Sequence, residues 1–168
     1  MRRLSKIWAM AAAFLIGAGT ATAGATQLPL AQDLAADGSQ SAGTGTAILV
    51  FYMMQSCPYC QQVEELYLEP MLTRRTYGDR LLIRAVHADR ATPLRDFAGT
   101  QTDHETFARR EGAYLTPLVR LYAPDGSALA PPLLGYTSPD FYAGELEGRI
   151  EKAIAHVRSV TARVPRQP

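Results

Sequence analysis

The two cysteines of this chain, Cys57 and Cys60, directly follow a long apolar run, and this junction constrains the fold more than any other feature. The run covers residues 47–53 and contains β-branched and aromatic residues without a charged interruption. Because a continuous apolar run is typical of a strand covered on both faces, we predict a buried strand here. Pro58 follows Cys57, and proline is favoured as the first residue of a helix, so a helix is predicted to begin at the cysteine pair.

The spacing of the cysteines favours chemistry over structural cross-linking. A loop this small constrains an unfolded chain too little to make a useful structural disulfide. At a helix start, the backbone N–H groups and the helix dipole favour an anion, so Cys57 is the expected nucleophile. Cys60, one helical turn later, would resolve the mixed disulfide that forms. Pro58 would help to fix the helix start, and Tyr59 would present its ring to the substrate.

Strand-like and helix-like segments alternate along the rest of the chain. This order predicts an α/β fold with a central mixed β-sheet flanked by helices. The predicted elements are a helix from residue 58 that Pro70 ends or kinks, a strand over 81–86, a helix from Asp103 to Gly112, a strand over 118–122, a turn over 124–127, a strand over 128–134 and a helix that begins at Ser138. Between residues 87 and 102 we expect an ordinary surface loop, with an inserted helix or a loop that shapes the substrate site as the alternatives.

The first 23 residues have the pattern of a secretory signal peptide. Arg2, Arg3 and Lys6 precede a short apolar segment, residues 7–18, and the small residues at 21–23 fit a cleavage site. The apolar segment is shorter than the roughly 20 residues that a membrane-spanning helix needs. We therefore expect residues 1–23 to be removed and the protein to be exported to the periplasm.

The mature chain is long enough for one domain. Residues 24–45 are rich in Ala, Gly, Ser and Thr and show little periodicity, so we predict a flexible leader, then a domain over 46–160 and a tail over 161–168. The net charge of +1 gives no argument for nucleic acid as a partner. No separate dimerisation domain is visible in the sequence, and a monomer is expected.

A metal-binding role for the cysteines is the main alternative. A haem attachment site would need histidine where Gln61 stands, and a zinc site would need two further ligands, for which the three histidines show no suitable spacing. Copper handling is the stronger rival, because Met53 and Met54 lie close to the cysteines and export suits that role. Methionines at the end of a strand, however, more often belong to the core.

On these residues the chain resembles the thioredoxin superfamily, over roughly residues 46–158. Besides the predicted strand, the residues that carry the resemblance are 56–60, 116–117, 124–126 and 135–136. The chain looks closest to periplasmic thioredoxin-like proteins of the type associated with sulfur oxidation operons or cytochrome c maturation. Its Cys-Pro-Tyr-Cys tetrad is similar to that of glutaredoxins.

The resemblance implies further site residues. It implies a cis peptide bond before Pro117, packed against the active cysteines, and a backbone around Thr116 that pairs with the extended chain of a substrate. Many thioredoxins also carry a buried acid six residues before the first cysteine, where this chain has Phe51. Glu64 or Glu65 could substitute for that acid, although a solvated helix face is the expected place for both.

These inferences together predict an exported thiol–disulfide oxidoreductase that exchanges the Cys57–Cys60 dithiol or disulfide with client proteins. The resemblance to reducing exported thioredoxins favours the reductase direction, with a membrane-bound electron donor that keeps the pair reduced. No cofactor is needed beyond the cysteine pair, and no metal is required. An oxidase that donates its disulfide, and a copper chaperone that uses the two thiolates, are the alternatives.

Overall fold

The computed structural model describes residues 27–163, and the predicted signal peptide lies outside the described residues. In this part of the chain, the α-helices are Leu34–Thr44 (α1), Pro58–Val63 (α2), Glu69–Thr73 (α3), His104–Arg110 (α4) and Pro139–Thr161 (α5). The strands are Ala47–Met53 (β1), Leu81–His87 (β2), Pro93–Arg95 (β3), Gln101–Asp103 (β4), Leu118–Tyr122 (β5) and Leu133–Leu134 (β6). A π-helical turn, Glu64–Leu68, joins α2 to α3, and a 3-10 turn, Gly78–Arg80, precedes β2.

The central sheet is mixed, as predicted, with the strand order β2-β1-β5-β6. β1 runs parallel to β2 and antiparallel to β5, and β6 pairs antiparallel with β5. Strands β3 and β4 form a separate two-stranded hairpin. Every helix in the described part of the chain is too short or too polar to cross a membrane.

Strand β1 lies at the centre of two buried clusters, one on each face of the sheet. Leu49 and Phe51 pack on one face with residues of α2 and α5, whereas Val50 and Tyr52 pack on the other face with residues of α1 and α4. Because successive side chains of a strand point to opposite faces, both sets are removed from water. The prediction of a strand covered on both faces is confirmed.

The predicted flexible leader is wrong from residue 28 onward. Leu28 and Leu34 are buried in the two clusters, and the Ala85 N–H donates to the Pro29 carbonyl while the Ala31 N–H donates to the Ala85 carbonyl. The segment thereby extends the sheet beside β2, and α1 follows it. The composition of this stretch predicted a flexible segment because its few leucines show no local periodicity, although they pack into clusters formed by distant strands. Residues 24–26 lie outside the described residues.

Helix α1 is attached to the sheet by a buried ion pair. The Arg84 guanidinium donates from Nε and Nη2 to the two carboxylate oxygens of Asp37, at 2.9 and 2.7 Å. Asp33 caps the helix, since its side chain accepts from the Ala36 N–H at 2.8 Å. The folded domain therefore begins well before the predicted boundary at residue 46, and α5 continues to Thr161 at the other end.

Pro70 does not end the helix that begins at Pro58. The helix continues through a π-helical turn, Glu64–Leu68, into α3, and Pro70 is the second residue of α3. The regular α-helical pattern is therefore interrupted directly before the proline, but the helix does not end there. The segment 87–102 is also more regular than predicted, since it forms β3 and the beginning of β4. Asp96 stabilises that hairpin by accepting from Arg110 Nη2 at 2.7 Å.

The turns and helices predicted for the second half of the chain are confirmed, whereas one predicted strand is not. Asp103 caps α4, Gly126 adopts a positive φ in the turn, and the apolar stripe of α5 is buried. The predicted strand over 128–134 is much shorter, however, and only Leu133–Leu134 pairs with β5 beyond an isolated bridge. Two adjacent prolines, 131 and 132, lack N–H groups and cannot continue the ladder.

Candidate active site

The cysteine pair lies at the junction of β1 and α2. Cys57 is the N-cap residue and Pro58 the first helical residue, and the Cys60 N–H lies 3.1 Å from Sγ of Cys57. The two cysteines form a disulfide with their Cα atoms 5.2 Å apart. Cys60 is fully buried, whereas Cys57 is partly exposed. A large substrate can therefore reach the sulfur of Cys57 but not that of Cys60.

The loop before β5 lies against the exposed cysteine. The Thr116–Pro117 peptide bond is cis, as the family resemblance implied. The Thr116 hydroxyl lies 3.5 Å from Sγ of Cys57, and the next residue, Pro117, is buried. The Gly135 N–H donates to the Pro117 carbonyl at 2.8 Å, so the end of β6 is attached to the same loop. Folding thus brings together the predicted site residues from two distant parts of the sequence.

A group of tyrosines whose rings contact one another at tilted or edge-on angles, which the sequence did not predict as a unit, supports the site on one side. The exposed ring of Tyr59 lies 6.2 Å from that of Tyr136, which in turn lies 6.2 Å from Tyr67 and 5.2 Å from the buried Tyr142. Tyr67 donates to the Pro139 carbonyl at 3.1 Å, so the π-helical turn is joined to the start of α5. Partial burial and the contact with Tyr136 raise the pKa of Tyr67 to about 12, which keeps its hydroxyl a donor.

A carboxyl group lies one helical turn beyond Cys60. Phe51 is fully buried at the position where many thioredoxins carry an acid. Glu64 is partly buried, and its Oε1 accepts weakly from the Leu28 N–H at 3.5 Å, so the expectation of a fully solvated face holds for the exposed Glu65 but not for Glu64. Burial, opposed by this hydrogen bond, raises the pKa of Glu64 above its usual value.

The residues considered as metal ligands are used for packing and hydrogen bonding. Met53 and Met54 pack against the two core clusters, one on each face of the sheet. His104 accepts from the His87 N–H with Nδ1, at 3.0 Å, and points Nε2 at the Ala31 carbonyl, at 2.7 Å. Within residues 27–163, no group of three or more His, Cys, Asp or Glu side chains is placed to hold a metal ion.

A family model described as a thioredoxin-like domain matches residues 34–149, which is well over half of the chain. No curated protein matches the sequence. Among solved structures, the chain is similar to oxidised thioredoxin O2 from Arabidopsis thaliana, with 12% identity, a TM-score of 0.49, and coverage of 74% of this chain and 91% of that one.

Two further thioredoxins show the same level of similarity. The reduced thioredoxin pre-protein of Schistosoma mansoni is 15% identical, with a TM-score of 0.49 and coverage of 76% of this chain and 98% of that one. A mutant thioredoxin from Halobacterium salinarum is 15% identical, with a TM-score of 0.46 and coverage of 73% and 91%. All three similarities are distant, and the family follows from the domain match.

The domain match and the cysteine pair agree with each other. The match spans β1, both cysteines and the cis-proline loop, and continues into α5. A cysteine pair at a helix start on this fold supports thiol–disulfide exchange with protein substrates in general. The protein is a thiol–disulfide oxidoreductase, and the chain belongs to the thioredoxin-like domain family.

Proposed function

We propose that this protein is exported to the periplasm and reduces disulfides in client proteins there. The observation that carries the proposal is the contrast between the two cysteines. Cys57 is partly exposed and its Sγ accepts a hydrogen bond from the Cys60 N–H, whereas Cys60 is buried. The N-terminal signal pattern supports export. The resemblance to periplasmic thioredoxin-like proteins supports the reductase direction.

The proposed reaction proceeds in two exchanges. The Cys57 thiolate attacks one sulfur of the client disulfide, which forms a Cys57–client mixed disulfide and releases the other client sulfur as a thiolate. The Cys60 thiolate then attacks Sγ of Cys57, which releases the second client thiolate and forms the Cys57–Cys60 disulfide. Two electrons pass from the pair to the client, and the released thiolates take protons from water.

A second exchange must restore the dithiol, because a reductase cannot stay reduced in an oxidising compartment unaided. We propose that a membrane-bound dithiol protein supplies the two electrons through the same two steps in reverse. A monomer suffices for this cycle, since both cysteines and the Thr116–Pro117 loop come from one chain. No cofactor takes part in the proposed steps.

Trapping of mixed disulfides tests the division of roles. The Cys60→Ser variant cannot resolve, so it should accumulate covalent complexes with periplasmic clients that disappear on treatment with a reducing agent. The Cys57→Ser variant is the matched control and should trap none, because its remaining thiol is buried. Equal trapping by both variants would refute the assignment of Cys57 as the nucleophile.

The direction of transfer is tested by the equilibrium reduction potential of residues 24–168 in graded glutathione buffers, read by thiol alkylation. A value near about −270 mV, which is typical of thioredoxin, would support a reductase. A value near about −120 mV, which is typical of a strong oxidant, would make the disulfide the working form and the protein an oxidase. Fractionation of cells and N-terminal sequencing of the mature protein test export.

A further inference from the structure

The carboxylates that have no partner are gathered in one part of the molecule. All 16 Asp and Glu residues of the chain lie within residues 27–163. Most of them accept a hydrogen bond or belong to an ion pair, as Asp89 does with the Gln55 N–H at 2.9 Å and Glu145 with Arg149 at 3.1 Å. The side chains without such a contact among these residues belong to the π-helical turn, α3 and α5, and they are those of Glu65, Glu69, Asp140, Glu147 and Glu151.

On α5 the unpaired carboxylates form a stripe. Residues spaced by three or four positions lie on one side of a helix, and the stripe follows this spacing through Asp140, Gly144, Glu147 and Glu151. Open space surrounds Gly144, so no side chain screens the middle of the stripe. Arg149 marks the other flank of α5, where it donates to the Pro131 carbonyl at 2.6 Å. The stripe is therefore separate from the paired charges of the same helix.

The stripe faces the π-helical turn and α3. The Tyr67 hydroxyl, in the turn, donates to the carbonyl of the first residue of α5 at 3.1 Å. Besides burial and a neighbouring tyrosine, the charge of Asp140 raises the pKa of Tyr67. Burial, followed by the charges of Glu147 and Glu151, raises the pKa of Tyr77, which follows α3. Since these charge effects require proximity, the stripe and the carboxylates of the turn lie on one face.

Two large apolar side chains project from the same face. Leu66, in the π-helical turn, is 56% exposed, and Phe141, in α5, is 62% exposed. Tyr142 beside it is 2% exposed, its hydroxyl has no hydrogen-bond partner in the part of the chain that the structure describes, and its ring lies 5.2 Å from that of Tyr67. Exposed apolar groups above a buried donor without an acceptor indicate that the chain's own groups do not complete this junction. We call Leu66, Phe141 and the five unpaired carboxylates together the acidic face.

The sequence places few cations near the acidic face. Residues 54–73 and 121–148 contain no Lys, Arg or His, although the chain has 17 Lys and Arg residues. Apart from ion-paired arginines, the adjoining cations are Arg74, exposed at the end of α3, Arg80, which lies over an aromatic ring, and Lys152, on the other flank of α5. The face therefore carries a net negative charge, and a complementary partner is cationic.

The acidic face begins close to the reactive sulfur. Glu65 follows Cys57 along one continuous helical path, by about 12 Å at the rise of a helix. The rings of Tyr59, Tyr136 and Tyr67 connect the cysteine pair with the start of α5. About four residues of an extended chain span such a distance. A client can therefore contact the acidic face while its disulfide reacts at Cys57.

On these observations, and resting on the disulfide exchange of the proposed function but not on its direction, we propose that the acidic face binds a cationic segment of client proteins in which lysine or arginine residues flank an apolar side chain. The cations pair with the carboxylates, and the apolar side chain covers Leu66 and Phe141. None of these residues belongs to the Thr116–Pro117 loop. Because the charges are exposed, the attraction acts mainly on the rate of association and decreases with salt.

Model clients test the proposal. Three peptides contain the same internal disulfide and, about four residues away, one leucine flanked by three lysines, three glutamines or three glutamates. The rate constant for their reduction by the dithiol form is divided by that for hydroxyethyl disulfide, which is too small to reach the face. At about 0.1 M salt, we expect the lysine peptide to react about fivefold to tenfold faster than the glutamine peptide, and the glutamate peptide to be the slowest. At about 0.5 M salt, the advantage of the lysine peptide should shrink to less than about twofold.

Variants locate the effect. Glu65→Lys and Glu147→Lys each reverse one charge of the face and should reduce the advantage of the lysine peptide about threefold to tenfold. Glu105→Lys is the matched control, because it makes the same change on α4, where Glu105 is paired with Arg109, and it should keep the wild-type advantage. Phe141→Ser should slow the lysine and the glutamine peptides alike, by about twofold to threefold, because both carry the leucine.

Several results would overturn the proposal while leaving the exchange reaction intact. These are an equal or faster reaction of the glutamate peptide, an advantage of the lysine peptide that persists at high salt, or an unchanged advantage in both Glu65→Lys and Glu147→Lys. Calcium binding by the wild type but not by Glu147→Lys, in a titration with calcium chloride, would assign the face to a divalent cation instead. A wild-type dimer that dissociates in Glu147→Lys would assign it to a second copy of the chain.

The small substrate separates this proposal from the proposed function. Reduction of hydroxyethyl disulfide by the wild type but not by Cys57→Ser would uphold disulfide exchange whatever the peptides show. Failure of the wild type to reduce hydroxyethyl disulfide would refute the exchange itself.

Discussion

The Thr116 hydroxyl oxygen lies 3.5 Å from Sγ of Cys57, and the peptide bond that follows Thr116 is cis. In the reduced protein, that hydroxyl can donate to the Cys57 thiolate together with the Cys60 N–H. A hydrogen bond that favours the thiolate also favours the dithiol over the disulfide. We therefore expect the Thr116 side chain to influence both the reactivity of the cysteine pair and its reduction potential.

The Thr116→Val substitution tests this contact. Loss of the hydroxyl removes about 0.5–1.5 kcal/mol from the thiolate, so the midpoint pH of thiolate formation should rise by about 0.4–1 unit. Absorbance near 240 nm across a pH titration of the reduced protein measures the midpoint. Thr116→Ser keeps a hydroxyl and should restore the wild-type curve, and an unchanged midpoint in the valine variant would rule the hydrogen bond out.

Removal of one partner of the Asp37–Arg84 pair should strongly destabilise the protein. Its side chains are only 11% and 21% exposed, so Asp37→Ala leaves a largely buried cation without a partner. We expect a loss of about 3 kcal/mol in the free energy of unfolding, measured by urea denaturation. Asp79→Ala, which breaks the exposed pair with Arg75, is the control and should cost at most about 1 kcal/mol. Similar losses in the two variants would show that Asp37 has no special role.

Gly126 is expected to tolerate no side chain. Its φ of +82° lies in the left-handed region, and an added Cβ would lie 2.5 Å from Cβ of Phe97. Gly126→Ala should lower the free energy of unfolding by about 2 kcal/mol or more, because both backbone strain and overlap result. Gly144→Ala, in α5 with open space around it, should raise stability by about 0.5–1 kcal/mol instead. A Gly126→Ala protein that is as stable as the wild type would contradict the prediction.

His104 should make the stability depend on pH below neutrality. Burial lowers the pKa of His104 below 6.5, against the opposing effects of the Ala31 carbonyl and Asp103. The fold holds the ring neutral, so its contribution is complete above about pH 6.5 and is lost as the pH falls from there towards the folded pKa. His87, which stacks on it, has a pKa lowered by burial, Arg90 and His104, and contributes with the same sign.

The measurement compares wild type and His104→Gln by urea denaturation between about pH 7.5 and about pH 5.5. The wild type should lose up to about 1.4 kcal/mol more per pH unit than the variant within this window. His156→Gln, at an exposed position of α5, is the control and should follow the wild-type slope. A parallel decline in all three proteins would contradict the linkage.

The chemistry of the site is predictable from the sequence because its signals are local. Three adjacent signals determine it: the apolar run of β1, the spacing of the cysteines and Pro58. Each of them sets the local conformation of the segment in which it stands. The stripe on α5 is likewise periodic and is buried as expected. Pro117 differs, since the sequence alone shows an ordinary X-Pro bond and the cis form was expected only from the family resemblance.

The parts that escaped prediction depend on contacts between distant residues. The helix α1 contains Gly, Ser and Thr and shows no strong apolar period, but Asp37 and Arg84 pair across 47 positions of sequence. The tyrosines of the group beside the site come from α2, the π-helical turn, the loop after β6 and α5, so no short window of sequence contains them. The π-helical turn lies directly before Pro70, where the sequence predicted an end or a kink of the helix but not its form.

The position of Leu28 has a consequence for how the protein is made. Leu28 shares its buried cluster with Ile154 and Val157, near the end of α5. The first segment of the domain is therefore synthesised long before the helix that completes its cluster. The buried cluster therefore cannot close until α5 is available, and a chain stopped before α5 would leave one face of its sheet open to proteases and chaperones.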